Sequence, residues 1–192
     1  MKQIRFILVV VALCVIVFLA LRNYCPQSGV AFNQARRKFQ QLKNRTALPL
    51  QSDFESGVTL ATLLQPGNDQ SRWANSRAAQ LEGYVVAVYS GPLEAANCYC
   101  RRDVHIMLGP RPDSLAREQV VLEVTPRTET AKEWSLEKLQ RELTGRRVRF
   151  QGWLFFDAVH AGESENIAPG RANNWRATAW ELHPVTKIDV LN

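Results

Sequence analysis

Five runs with strand character, with one helical run between the third and the fourth, fill the chain from Ala78 to Leu191. That order constrains the fold more than any other feature of the sequence. The first run, QLEGYVVAVYSG, is rich in Val and Tyr and carries Gly83 inside it, where a glycine marks a bulge or a sharp bend. DVHIMLG alternates, placing Val104, Ile106 and Leu108 on one face and Asp103, His105 and Met107 on the other. QVVLEVT follows a turn region containing Pro110 and Pro112. Thr130 with Glu133 has the spacing of a capping box opening AKEWSLEKLQREL, on which Leu136, Leu139 and Leu143 share a face, and Gly145 supplies the stop. RRVRFQGWLFFD and RATAWELHPVTKIDV complete the set.

A helix between the third and fourth of five strands resembles the OB-fold, a small, partly open Greek-key barrel. The expected class is therefore mainly β, α+β overall: a five-stranded OB-fold-like barrel over residues 77–192. The resemblance implies that the long first strand bends at Gly83 to serve both halves. It also implies that the loops joining strands one to two and four to five flank one binding face. The segments GWLFFDAVH and WRATAWELHPVTKIDV are similar to a recurring ending among uncharacterised exported or membrane-anchored bacterial proteins, which implies a family but no activity. A different five-stranded barrel or a mixed sandwich is the alternative architecture.

Residues 1–22 read as a signal anchor or signal peptide. Lys2 and Arg5 precede an uninterrupted apolar run from Phe6 to Leu21. As a helix this run is about 24 Å long, slightly short of a hydrocarbon core about 30 Å thick. No small residues follow to form a cleavage site, and neither Cys14 nor Cys25 sits behind the small residue of a lipoprotein signal. The favoured reading is an uncleaved single-pass anchor through residues 6–21 with the domain exported, periplasmic or extracellular. A secreted form is the alternative if the signal is cleaved. Formal charge is +6, and removing Lys2, Arg5 and Arg22 leaves 21 bases against 18 acids, an excess of three. Such a balance permits contact with phosphate or acidic lipid but demands neither.

Residues 23–76 form a basic helical lead-in. In VAFNQARRKFQQLKNR, Phe32, Ala35, Phe39 and Leu42 recur at helical spacing among Arg36, Arg37, Lys38 and Lys43. Such a helix lies against anionic lipid or docks on the domain with its charges in water. Leu50 to Ser76 shows no visible chemistry; VTLATLL predicts a short helix stopped by Pro66 and Gly67.

The two loops expected beside the binding face bring Cys98, Cys100, Arg101 and Arg102 towards Asp157, His160, Arg171 and Trp175. His105 on strand two can point to the same groove, while Glu181 and His183 share a face of strand five. His105, Asp157, His160 and His183 are plausible ligands for a divalent metal such as zinc, although no tight spacing such as HExxH occurs. Hydrogen-bonded histidines fixing loops and strand ends are the plainer alternative. A disulfide between Cys98 and Cys100 would be strained, so in an exported protein each can pair elsewhere, with Cys25 one candidate.

Arg101, Arg102, Trp153, Phe155, Arg171, Trp175 and Arg176 provide the aromatic and basic residues of a single-strand binding surface. Trp153 and Phe155 could instead lie under the N-terminal helices. No Gly-rich phosphate loop or GxSxG turn is present. The expected function is a membrane-tethered or exported OB-fold binding module for an envelope protein, glycan or single-stranded nucleic acid. The alternative is a metal-dependent hydrolase using the His/Asp cluster.

Overall fold

The computed structural model describes residues 24–128 and 133–191, with residues 10, 11, 13 and 14. Apart from those four, the anchor expected over residues 1–22 lies outside the described residues, as does Thr130 of the expected capping box. No helix among the described residues is long and apolar enough to cross a membrane.

Strands β1 (Ala78–Ser90), β2 (Val104–Gly109), β3 (Val120–Val124), β4 (Arg147–Phe156) and β5 (Trp180–Val190) close into one barrel in the order β1-β2-β3-β5-β4. Neighbours are antiparallel except β3 and β5, which run parallel with Leu122 opposite Leu182. This is a closed OB-like barrel, mainly β in class. Leu81, Val85, Ile106, Leu108, Leu122, Phe150, Leu154 and Leu182 fill its interior. Ile106 and Leu108 are the inward positions of the period-two alternation read from the sequence in β2.

β1 is long because it serves two partners. Residues Ala78 to Tyr84 pair with β4, and Tyr84 to Ser90 pair with β2. The irregularity falls between Val85 and Ala87, not at Gly83 itself. Gly83 sits beside the hand-over because there is no room for a side chain: a Cβ there would come within 2.7 Å of Leu60 Cδ2 and 2.8 Å of the Gly109 carbonyl oxygen.

Among the described residues from 24 onward, three α-helices accompany the barrel: α1 (Gln34–Lys43), α2 (Leu60–Leu63) and α3 (Leu136–Leu143). α3 is shorter than the periodicity predicts. It opens on Ser135, whose side chain accepts from the Lys138 amide, and buries Leu139 and Leu143. Val58, Leu60 and Leu63 of the lead-in join the barrel core.

α1 departs most from expectation. Its N-cap is Asn33, which accepts from the Arg36 amide at 2.8 Å. Only the second half of the Phe32, Ala35, Phe39, Leu42 stripe is covered: Phe39 and Leu42 are half-buried, whereas Phe32 is 96% exposed and Ala35 is exposed. The most buried residues of the helix are Gln40 and Lys43, with Asn44 beyond them, so Lys43 is buried rather than solvated. Several ties hold this segment to the loop of residues 91–103. Cys25 and Cys98 form a disulfide. The Val30 amide donates to the Ala95 carbonyl at 2.8 Å, and Asn44 Nδ2 donates to the Ala96 carbonyl at 2.9 Å. The disulfide spans 73 residues, and closing such a loop removes about 4 kcal/mol of unfolded-chain entropy in the chain-entropy model. Cys100 remains a free thiol, as does Cys14.

Gly83→Ala is expected to destabilise the fold by about 1–3 kcal/mol, because Gly109 is backbone and cannot yield cheaply. Gly57→Ala, where nothing lies within 4 Å, should change stability by less than about 0.5 kcal/mol. Urea unfolding midpoints of the two variants make the comparison.

Candidate functional site

A strand's outer face normally meets water, yet here the outer face of β2, β3 and β5 is roofed. Residues 24–44 and the 91–103 loop lie over it, and the side chains beneath are polar. Asp103, His105, Glu123, Glu181 and His183 are all buried, and so is Lys43 from the roof. Phe155 of β4, fully buried, sits under Phe39 with ring centroids 4.9 Å apart.

Burying charge is costly unless each charge is paired. Lys43 Nζ contacts Glu94 Oε2 at 2.6 Å and Glu123 Oε2 at 3.8 Å. Burial works against its charge, but Glu123, Glu94 and Glu181 outweigh burial and hold the ammonium above its ordinary range. Glu123 in turn meets His183 Nδ1 at 2.8 Å and His105 Nε2 at 3.4 Å. Although burial opposes it, the charges of His183, Lys43 and His105 keep the Glu123 carboxyl well below the usual range. Burial also disfavours the imidazolium of His183, yet Glu123 raises it to about 9. Glu181 and Asp103 go the other way, pushed up chiefly by desolvation.

A second charged group continues the network towards the surface. The guanidinium of Arg176, fully buried, pairs with Glu181 and lies 3.3 Å from Asp157 Oδ2. Asp157 Oδ2 also contacts His160 Nδ1 at 2.6 Å. Against the desolvation that opposes its charge, this hydrogen bond and Arg176 hold Asp157 down to about 2. The same hydrogen bond raises His160.

Above this charged layer opens a pocket of ≈ 390 Å³ between α1, the 91–103 loop and the start of the 157–179 loop. Arg36, Gln40, Lys43, Glu94, Asp157 and His160 supply its polar lining. Val30, Phe32, Tyr99 and Val159 supply an apolar lip, and these four are 36%, 96%, 58% and 57% exposed.

The residues expected to act together are divided among several places. His105 and His183 share Glu123, while His160 and Asp157 stand at the pocket edge. The four candidate metal ligands thus split into two pairs, and the hydrolase alternative finds no support in this arrangement. Arg101 is exposed, and Arg102 donates to the Gly91 carbonyl at 2.7 Å. Arg171 lines a separate depression with Leu115 and Glu165. Trp175 donates to Glu163 at 2.5 Å and carries Arg176 against its face. Trp153 donates to the Ala47 carbonyl at 2.8 Å under Arg45.

Lys43, Glu123 and Asp69 take part as well, although helical spacing places Lys43 among surface bases and no motif marks the two carboxylates. Glu123 sits in QVVLEVT as the lone charge in a run of β-branched residues and leucine, a visible signal of a buried carboxylate needing partners. Asp69 accepts from Asn166 Nδ2 at 2.7 Å and Thr178 Oγ1 at 2.5 Å, tying the lead-in to the 157–179 loop. Among the described residues, Asp103, Glu123 and His183 form a set whose donor atoms all lie within 4.8 Å of one another. No protein-family model matches the chain, and no curated protein matches it.

Because Asp157 is depressed to about 2, its stabilising contribution is present above its unfolded value near 3.9 and is lost as pH falls through 2. Asp157→Asn is expected to cost roughly 2 kcal/mol at pH 7, with the deficit shrinking between about pH 4 and pH 2. Chemical unfolding of the two proteins across that range measures it.

Proposed function

We propose that this protein is a membrane-tethered or exported binding module that grips a segment of an envelope protein by a bulky apolar side chain. The grip is the pocket between α1, the 91–103 loop and Val159. The observation that carries the reading is the apolar lip of Val30, Phe32, Tyr99 and Val159 around a polar floor. Clustered exposed apolar side chains beside a concave polar surface are the pattern of an interaction site, whereas single exposed ones are ordinary.

The barrel adds support, since OB-like barrels bind ligands beside the loops that here border the pocket. The Cys25–Cys98 disulfide favours an oxidising compartment. With residues 6–21 held in a membrane, only residues 22–24 separate the anchor from that disulfide, a reach of roughly 14 Å. The pocket would then stand close to the membrane plane, where partners are other envelope proteins. The similarity of GWLFFDAVH and WRATAWELHPVTKIDV to exported bacterial proteins agrees with this setting.

Single-stranded nucleic acid is the weaker reading, because its aromatic platform is used internally. Phe155 is buried, and Trp153 is engaged by Arg45 and Ala47.

Selection from a phage-displayed random peptide library on the full chain in detergent should yield peptides with a recurring large apolar residue. Val159→Asp should weaken their binding at least tenfold, and Leu115→Asp, at an exposed leucine outside this pocket, should leave it unchanged. Peptides indifferent to Val159→Asp would remove the pocket from the reading. Salt-dependent binding of a single-stranded oligonucleotide, lost with Arg101 and Arg102, would replace it.

A further inference from the structure

We propose that Asp103, Glu123 and His183 form a binding site for a divalent cation of the zinc type, behind the inner wall of the pocket. This does not rest on the peptide-binding reading, and the two fail separately.

The three residues come from different parts of the barrel: the entry to β2, the middle of β3 and β5. They are 2%, 2% and 1% exposed, and their donor atoms lie within 4.8 Å of one another. Zinc bonds of about 2.0–2.2 Å put neighbouring ligands about 3.4 Å apart, so shifts of about an ångström complete the set. One free valence points inward, since the buried Asp103 Oδ1 has no hydrogen-bond partner. Buried polar atoms left in this way are rare and call for a partner. Glu123 Oε2 and His183 Nδ1 stand against each other at 2.8 Å as an ion pair, and a dication between them would take the place of the proton His183 holds there.

The surroundings hold the other atoms of these ligands. Asn97 Nδ2 donates to Asp103 Oδ2 at 2.8 Å, and His105 Nε2 stands 3.4 Å from Glu123 Oε1. Such outer partners orient metal ligands. Glu181 stands beside the set: Arg176 takes one oxygen, and the other lies 3.7 Å from His183 Nδ1. One imidazole nitrogen with carboxylate oxygens suits zinc or a neighbouring transition ion better than calcium or magnesium.

The test uses the full chain, purified without a histidine tag, stripped with chelator and titrated with Zn²⁺ against a chromogenic competitor. One equivalent should bind. Asp103→Asn and Glu123→Gln should each weaken it at least tenfold, and His160→Gln should not. Lys43→Gln should tighten it, because a competing cation 3.8 Å from Glu123 Oε2 is removed. A readout on the unaltered chain guards against variants that misfold: Co²⁺ should give visible bands without thiolate charge transfer. Less than a tenth of an equivalent, an equivalent kept at full affinity by both carboxylate variants, or a thiolate band placing the ion on Cys100 would each overturn the site.

Discussion

Lys43 is the point on which the arrangement turns. A charged lysine on the covered face of a helix costs several kcal/mol in desolvation unless opposite charges surround it. Here Glu94 comes from the 91–103 loop, Glu123 from β3 and Glu181 from β5, so one ammonium ties three segments distant in sequence. The carboxylates need Lys43 for the same reason, because Glu123 and Glu181 are fully buried and cannot draw on water. Removing one member of such a group leaves the others uncompensated, at a typical cost of about 3–5 kcal/mol. The position of α1, the path of the loop and the polarity of the barrel's outer face are therefore one problem with one solution.

This explains which parts of the molecule were legible in the sequence. The barrel was, because Val104, Ile106 and Leu108 alternate and the interior of a small barrel accepts nothing but such alternation. Element order did the rest. The seating of α1 was not. Apolar periodicity selects the Phe32, Ala35, Phe39, Leu42 stripe, on the premise that the surface receiving the helix is apolar. The receiving surface carries Glu123, Glu181 and His183, so the helix sends Lys43 towards it, while Ala35 and, ahead of the N-cap, Phe32 are left in solvent. A helix face is read from its own residues only when its partner's chemistry is known. In the candidate site, His105 and His183 fell where strand periodicity put them, but their shared partner Glu123 depended on a cross-strand register that no local pattern reveals. Asp157 and His160, by contrast, pair through a local contact three residues apart and so stand away from the other histidines.

The face an OB-like barrel would offer to a ligand is filled by the protein's own helix, and this bears on where a partner can act. A partner could displace α1 or engage the rim that α1 creates. Displacement uncovers Phe155 and Phe39, each worth about 1.5–3 kcal/mol of burial, and strips Lys43 from its carboxylates. It also works against the Cys25–Cys98 bond, which holds the chain eight residues before the N-cap Asn33 and keeps a displaced helix at high local concentration. Engagement of the rim disturbs none of these contacts and covers Phe32, Tyr99 and Val159, apolar surface already in water. For a partner of the kind proposed, the rim route would therefore start from a preorganised surface and gain from desolvation directly, whereas the groove beneath it would first have to be emptied.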